Sequence, residues 1–250
     1  MKHDFIDKYC HLDSPVHRLD PRMKIVAVFT GIIVIVTEPL TADLVRFILY
    51  LALVTAVVSI TRLPVSYLFK RLLVVSPFIL MAALFYPLSI FLARQEFFTA
   101  NREMVLMAGV VIFMKAFLAV SLLILLSSTE RFHRLLLALR KLKIPVIITT
   151  ISALLYQYIF LIADETLKTT RARASRTPGR LRMRRIRVIG NQVAVIFLRS
   201  WERSQIVYQS MLSRGFSGEF PVMISLHMRI ADIVIPLLFI ALLLAVRLFI

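Results

Sequence analysis

Two arginines in this sequence stand where forked hydrogen bonding to a partner is possible. Ala174-Ser175-Arg176-Thr177 lies just before Pro178-Gly179, and Met211-Leu212-Ser213-Arg214-Gly215-Phe216 runs into a glycine. Each cluster reads as the last turn of a helix. Pro178 cannot continue one. Gly215 can take the left-handed C′ conformation without steric cost, with Phe216 at C″ packing on Met211 at C3. A small residue before each arginine leaves its stem uncrowded, and the helix dipole favours a cation there by about 0.3–1 kcal/mol. Two guanidinium heads projecting from helix ends suit carboxylates or carbonyls in a groove. Taken singly, either cluster reads more simply as an ordinary C-terminal cap.

Other candidates for chemistry are sparse. Lys115 falls near the middle of an apolar run, where an ionisable side chain is a functional candidate; pairing with a neighbouring helix is the simpler reading. The histidines are scattered at His3, His11, His17, His133 and His227. Cys10-His11 with His3 could hold a metal in principle, yet no helix-spaced pair or CxxC supports it, and no metal site is expected. No Ser/His/Asp constellation or paired carboxylate emerges. Asp164 and Glu165 read as first-turn helix acids. A GxxxxGK[ST] phosphate loop is absent, so ATP hydrolysis is not expected of this chain. No cofactor is implied.

The elements that must position these residues are mostly apolar. Hydrophobic residues make up 59% of 250, yet the formal charge is +17, and mean hydropathy is +0.83. Lipid cannot solvate the cations, so charge and grease must be segregated along the chain. The first 24 residues mix charges of both signs without an apolar core, so no cleavable signal peptide is expected. The lone Cys10 excludes an internal disulfide.

Apolar runs at 25–37, 44–60, 72–93, 104–127 and 233–250 predict about five transmembrane helices in an all-α, polytopic membrane protein of one domain over residues 1–250. The first, with 13 residues, is short or tilted. A sixth run, 146–163, separates two basic stretches. Residues 128–145 carry five Lys/Arg against Glu130, and 164–232 carry 13 against five acids. The positive-inside rule puts both in the cytoplasm. The run between them is therefore expected to be re-entrant rather than crossing, with the N-terminus cytoplasmic. Within 128–232 the pattern predicts an amphipathic helix from Ser128 to Leu142 stopped by Pro145, a helix through Asp164 to Thr177, and a third from Asn191 to Arg214. The basic run 171–187 contains no aromatic residue, so it lacks the stacking platform of a single-strand nucleic-acid binder. It reads as a solvated face against anionic lipids.

The ordered set of short segments resembles the transmembrane T component of energy-coupling factor (ECF) transporters, in particular the CbiQ/NikQ type of cobalt and nickel importers. The resemblance lies in Tyr9 to Lys24 (with Leu19-Asp20-Pro21-Arg22-Met23-Lys24), in Ser128-Thr129-Glu130-Arg131-Phe132, in Leu139 to Pro145, in Asp164-Glu165 and in Met211 to Phe216 with Trp201 to Ser204 upstream. It covers nearly the whole chain. It implies two three-residue docking motifs, Ala-Arg-Gly or Ala-Arg-Ser, each seated on one of two ATP-binding-cassette ATPase subunits. By position these are Ser175-Arg176-Thr177 and Ser213-Arg214-Gly215. The first departs at both flanks, and Arg173 after Ala172 is a rival for it. The second departs only in its serine.

The resemblance further implies a non-catalytic lever in the cell membrane. It would carry ATPase motion to a separate substrate-binding membrane subunit of the CbiM/NikM type, which would hold the cobalt or nickel. Alternatives are a T component for a vitamin importer, or an autonomous secondary transporter or channel. The last would need polar groups converging at mid-membrane, where Lys115 is the chief candidate.

Overall fold

The computed structural model describes residues 14–40, 43–61, 63–92, 102–176, 184–220 and 228–249. Every regular element among them is an α-helix. Ser14 opens α1 (Pro15–Arg18) and Asp20 opens α2 (Pro21–Val36), each with proline at the first helical position. Both side chains accept a bond from an orphan amide: Ser14 from His17 N at 3.3 Å and Asp20 from Arg22 N at 2.9 Å. The proline-punctuated segment before the first apolar run is thus two capped helix starts in succession.

The remaining apolar runs form α3 (Leu44–Thr61), α4 (Val65–Leu92), α5 (Arg102–Thr129) and α9 (Ile230–Phe249). α5 is the centre. It packs on α2, α3 and α4, with Val111, Leu118 and Leu122 buried. Neighbours on several sides explain why its sequence is apolar all round and not striped. Small residues set the closest approaches. A Cβ on Gly31 of α2 would stand 3.2 Å from Leu243 of α9 and 3.4 Å from Leu122. One on Gly109 would stand 3.1 Å from the main-chain oxygen of Ala83 in α4. α4 runs through Pro77 and Pro87 without a break.

The chain divides into two compact units, Lys2–Ala138 with Leu226–Ile250, and Leu139–Ser225. α6 (Phe132–Lys141) straddles the boundary. The second unit is dominated by α7 (Val146–Arg176) packed on α8 (Arg184–Ser213). Five described helices are long and apolar enough to cross a membrane: Leu44–Thr61, Ser66–Ser89, Met107–Thr129, Val146–Ser175 and Ile230–Leu248. The polytopic, all-helical class read from the sequence is therefore present. The set differs in one exchange: α2, with 16 residues, is not among the five, whereas α7 is.

Local boundaries depart from the sequence reading at four places. α7 is continuous, because no Pro or Gly interrupts 146–176. Asp164 and Glu165 consequently lie in mid-helix, not in a first turn. α6 begins at Phe132 because α5 takes up Ser128 and Thr129 before breaking at Glu130-Arg131. It ends before Pro145 is reached: Lys143 adopts φ 68°, and Ile144 N and Lys143 N bond back to Leu139 O and Arg140 O, both at 3.2 Å. That is a Schellman closure with lysine where glycine is usual. α8 starts at Arg184, several residues before Asn191, and carries Gly190 in its interior.

Candidate functional site

The C-terminal end of α8 closes as its sequence implies. Gly215 has φ 79°, Phe216 N donates to Met211 O at 3.0 Å, and Gly215 N donates to Leu212 O at 3.0 Å. These are the paired bonds of the Schellman motif. Arg214 sits between them at the C-cap with an exposed side chain. Ser213 turns its hydroxyl back to Ser210 O at 3.0 Å.

The chain after this end is braced. Arg140, in the last turn of α6, pairs with Glu219 and donates to Phe220 O at 3.5 Å. Thr150 of α7 donates to Gly218 O at 3.3 Å. The rings of Phe216 and Phe220 lie 5.2 Å apart. Side chains of α6 and α7 therefore hold the segment that follows Arg214.

The other cluster shares the serine detail. Ser175 is exposed and donates to Ala172 O at 2.9 Å, matching the i−3 bond of Ser213. Arg176 is the final residue of α7, and Arg173 is half-buried one turn earlier. Thr177 lies outside the described residues, as do His3, Cys10 and His11. Among the described residues no group of His, Cys, Asp and Glu could hold a metal.

α7 and α8 are clamped by Arg199–Glu165 at 2.7 Å and by Gln192 Nε2 donating to Thr170 at 2.8 Å. Between them runs an apolar groove of about 480 Å3, lined by Ile151, Leu154, Tyr158, Val207, Met211 and Phe216 among others. Its last two lining residues belong to the closure at Gly215. The groove and the arginine are parts of one structure. On α8, Phe197, Leu198 and Trp201 remain exposed, at 59–65%.

Lys115 reaches the end of α2. Its amine donates to the main-chain oxygens of Val36, at 3.1 Å, and of Glu38, capping the end of α2.

A buried ion pair that the spacing of residues could not reveal joins two of the segments carrying the resemblance. Lys24 of α2 pairs with Glu130 at the α5–α6 break, and also donates to His17 O at 3.3 Å. Arg134 stands 3.7 Å from the same carboxylate. Burial pushes the Glu130 carboxyl up and the Lys24 amine down, while each partner pulls the other back towards its charged form. The two residues lie 106 positions apart.

Comparison with known proteins agrees with this architecture. The family model described as CbiQ, cobalt transport protein, matches residues 13–226. The transmembrane protein EcfT of the energy-coupling factor transporter of Bacillus subtilis is 29% identical over 232 residues, covering 85% of this chain and 84% of that protein. The EcfT of Macrococcus caseolyticus is 25% identical, covering 86% and 85%. An uncharacterized protein of Methanocaldococcus jannaschii is 23% identical over 92% of this chain and 80% of its own length.

Proposed function

The chain belongs to the CbiQ family of cobalt transport proteins, and from that premise we propose that it is the non-catalytic coupling subunit of an ATP-driven energy-coupling factor importer. Two ATP-binding-cassette ATPases would bind the helix ends at Arg214 and at Arg176, with Arg173 as the rival contact at the second. The observation that carries this reading is the braced closure of α8, which fixes Arg214 at an exposed helix end and gives its guanidinium no ion pair among the described residues. A fixed, exposed fork is suited to a partner's carboxylate or carbonyls.

ATP binding and hydrolysis would move the ATPases together and apart. The α7–α8 pair, clamped at Glu165–Arg199, would carry that motion as a lever. Its apolar groove and the exposed Phe197, Leu198 and Trp201 offer a greasy surface to a membrane-embedded substrate subunit of the CbiM/NikM type. Cobalt or nickel would be that subunit's cargo, with a vitamin as the alternative class. α7 would lie with both ends on the cytoplasmic side, along with the N-terminus. Five Lys/Arg precede it in 128–145 and 13 occur in 164–232, and a crossing would put one basic stretch outside.

Affinity purification of the tagged chain from native membranes tests the assignment. Two nucleotide-hydrolysing subunits and a membrane-embedded binding subunit should accompany it. Cobalt or nickel flux through vesicles holding the purified chain alone would contradict it and favour an autonomous transporter.

A further inference from the structure

The unit containing α2, α3, α5 and α9 has a second charged end. Glu38, just beyond α2, is 3% exposed and collects groups from three helices. Arg46 of α3 donates to Glu38 Oε2 at 3.4 Å, and Tyr50 donates to Oε1 at 2.7 Å. Arg247, in the last turn of α9, stands 4.0 Å from Oε1. Lys115 bonds the main-chain oxygen of the same residue. Two guanidiniums thus meet one carboxylate, with a third cation on its main chain. Among the described side chains there, Lys115 and the two arginines outnumber Glu38 and the exposed Asp43, which forms no ion pair among the described residues.

Both guanidiniums are incompletely used. Each approaches Glu38 through a single nitrogen, and Arg46 Nε is buried without a hydrogen-bond acceptor among the described residues. Their side chains remain partly exposed, 21% for Arg46 and 35% for Arg247. Open donor forks beside a carboxylate that already holds them in position can accept a further anion.

Depth says which anion is at hand. Lys24 and Glu38 are 14 residues apart, Lys115 and Glu130 are 15 apart, and so are Asp232 and Arg247. At 1.5 Å per residue the two charged ends are separated by about 22 Å. A typical hydrocarbon core is about 30 Å thick. With the Lys24–Glu130 end at one headgroup plane, the Glu38 end falls roughly 8 Å short of the other. Surplus cations at that depth need either water or an anion brought down to them, and the nearest anions are lipid phosphates.

We propose that Arg46 and Arg247, positioned by Glu38, form a binding site for the phosphate of a phospholipid. The lipid's headgroup is drawn towards the helix ends, and its phosphate oxygens take the donors that Glu38 leaves unused. Lys115 holds the end of α2 in place beneath it. The site is independent of the coupling role and stands or falls separately.

Native mass spectrometry of the full chain, purified in mild detergent and titrated with phosphatidylglycerol, tests this. The wild type should retain one lipid more than Arg46→Gln/Arg247→Gln, with about tenfold tighter binding. Inorganic phosphate in excess should not displace it, and Arg203→Gln in α8 should behave as wild type. Equal retention by wild type and double variant overturns the site. Displacement by inorganic phosphate overturns the assignment to lipid. If the glutamine variant does not fold, Arg46→Lys/Arg247→Lys keeps the charge on Glu38 and removes the forks. It should bind the lipid more weakly than wild type, and unchanged binding overturns the proposal.

Discussion

The two compact units use charge in opposite ways. In the unit built from Lys2–Ala138 and Leu226–Ile250 the carboxylates Glu130 and Glu38 are buried and paired, the first with Lys24 and the second with the partly exposed Arg46 and Arg247. In Leu139–Ser225 the described ion pairs, Arg140–Glu219 and Arg199–Glu165, are partly or largely exposed, and Arg214 projects from a capped helix end. Burying a charge is tolerable only when it is paired. The first unit therefore depends on its ions for folding, whereas the second can spare Arg214 for a partner. Substitutions that separate stability from assembly should break or sharpen this contrast.

The largest stability effect is expected from Lys24→Met, which leaves Glu130 buried without its principal cation. Removing one member of a buried pair costs about 3–5 kcal/mol, and Tm in detergent should drop accordingly. The loss should depend on pH. Burial already raises the Glu130 carboxyl in the folded state, and removing Lys24 raises it further. A group with a raised folded pKa favours the native state at low pH and loses that contribution as pH rises through it. The variant should be most impaired at neutral pH and recover towards acid. A pH-independent loss would show that packing, not charge, is responsible.

Gly109→Ala comes next. Its Cβ would meet the main-chain oxygen of Ala83 at 3.1 Å, and backbone cannot swing aside. A loss of about 1–3 kcal/mol is expected from overpacking, read as a lower Tm. Lys143→Gly should act with the opposite sign. Lysine at φ 68° is strained by roughly 1–2 kcal/mol relative to glycine, so the variant should melt higher, offset in part by glycine's greater chain entropy. The smallest stability effect belongs to Arg214→Glu. Its exposed side chain has no ion pair among the described residues, so reversing its charge beside the helix C-terminus should cost only about 1 kcal/mol.

Much of this was legible in the sequence because it is local. Apolar run length located α3, α4, α5 and α9, and Gly215-Phe216 after Met211 announced the closure of α8 in detail. The parts that escaped are non-local or lack a signal residue. Lys24 and Glu130 were both visible as members of the resemblance-bearing segments, but nothing in one sequence pairs positions 106 apart. Lys115 stood out as a lone mid-span cation because its acceptors are main-chain oxygens at the end of α2, which no side-chain pattern marks. Lys143 closes α6 without the glycine that would advertise it. α8 extends back through Gly190, where no neighbour within 4 Å and no positive φ makes the glycine special. The docking residues divide the same way: Arg214 follows from local capping, whereas the choice of Arg176 over Arg173 rests on the family pattern.

Copurification tests the coupling role most directly. The tagged chain carrying Arg176→Glu and Arg214→Glu should fold with near wild-type Tm and reach the membrane, yet emerge without ATPase subunits and support no metal uptake. An intact complex recovered from that double variant, with its ATPases still bound, would contradict the assignment of these two helix ends as the grip on the motor.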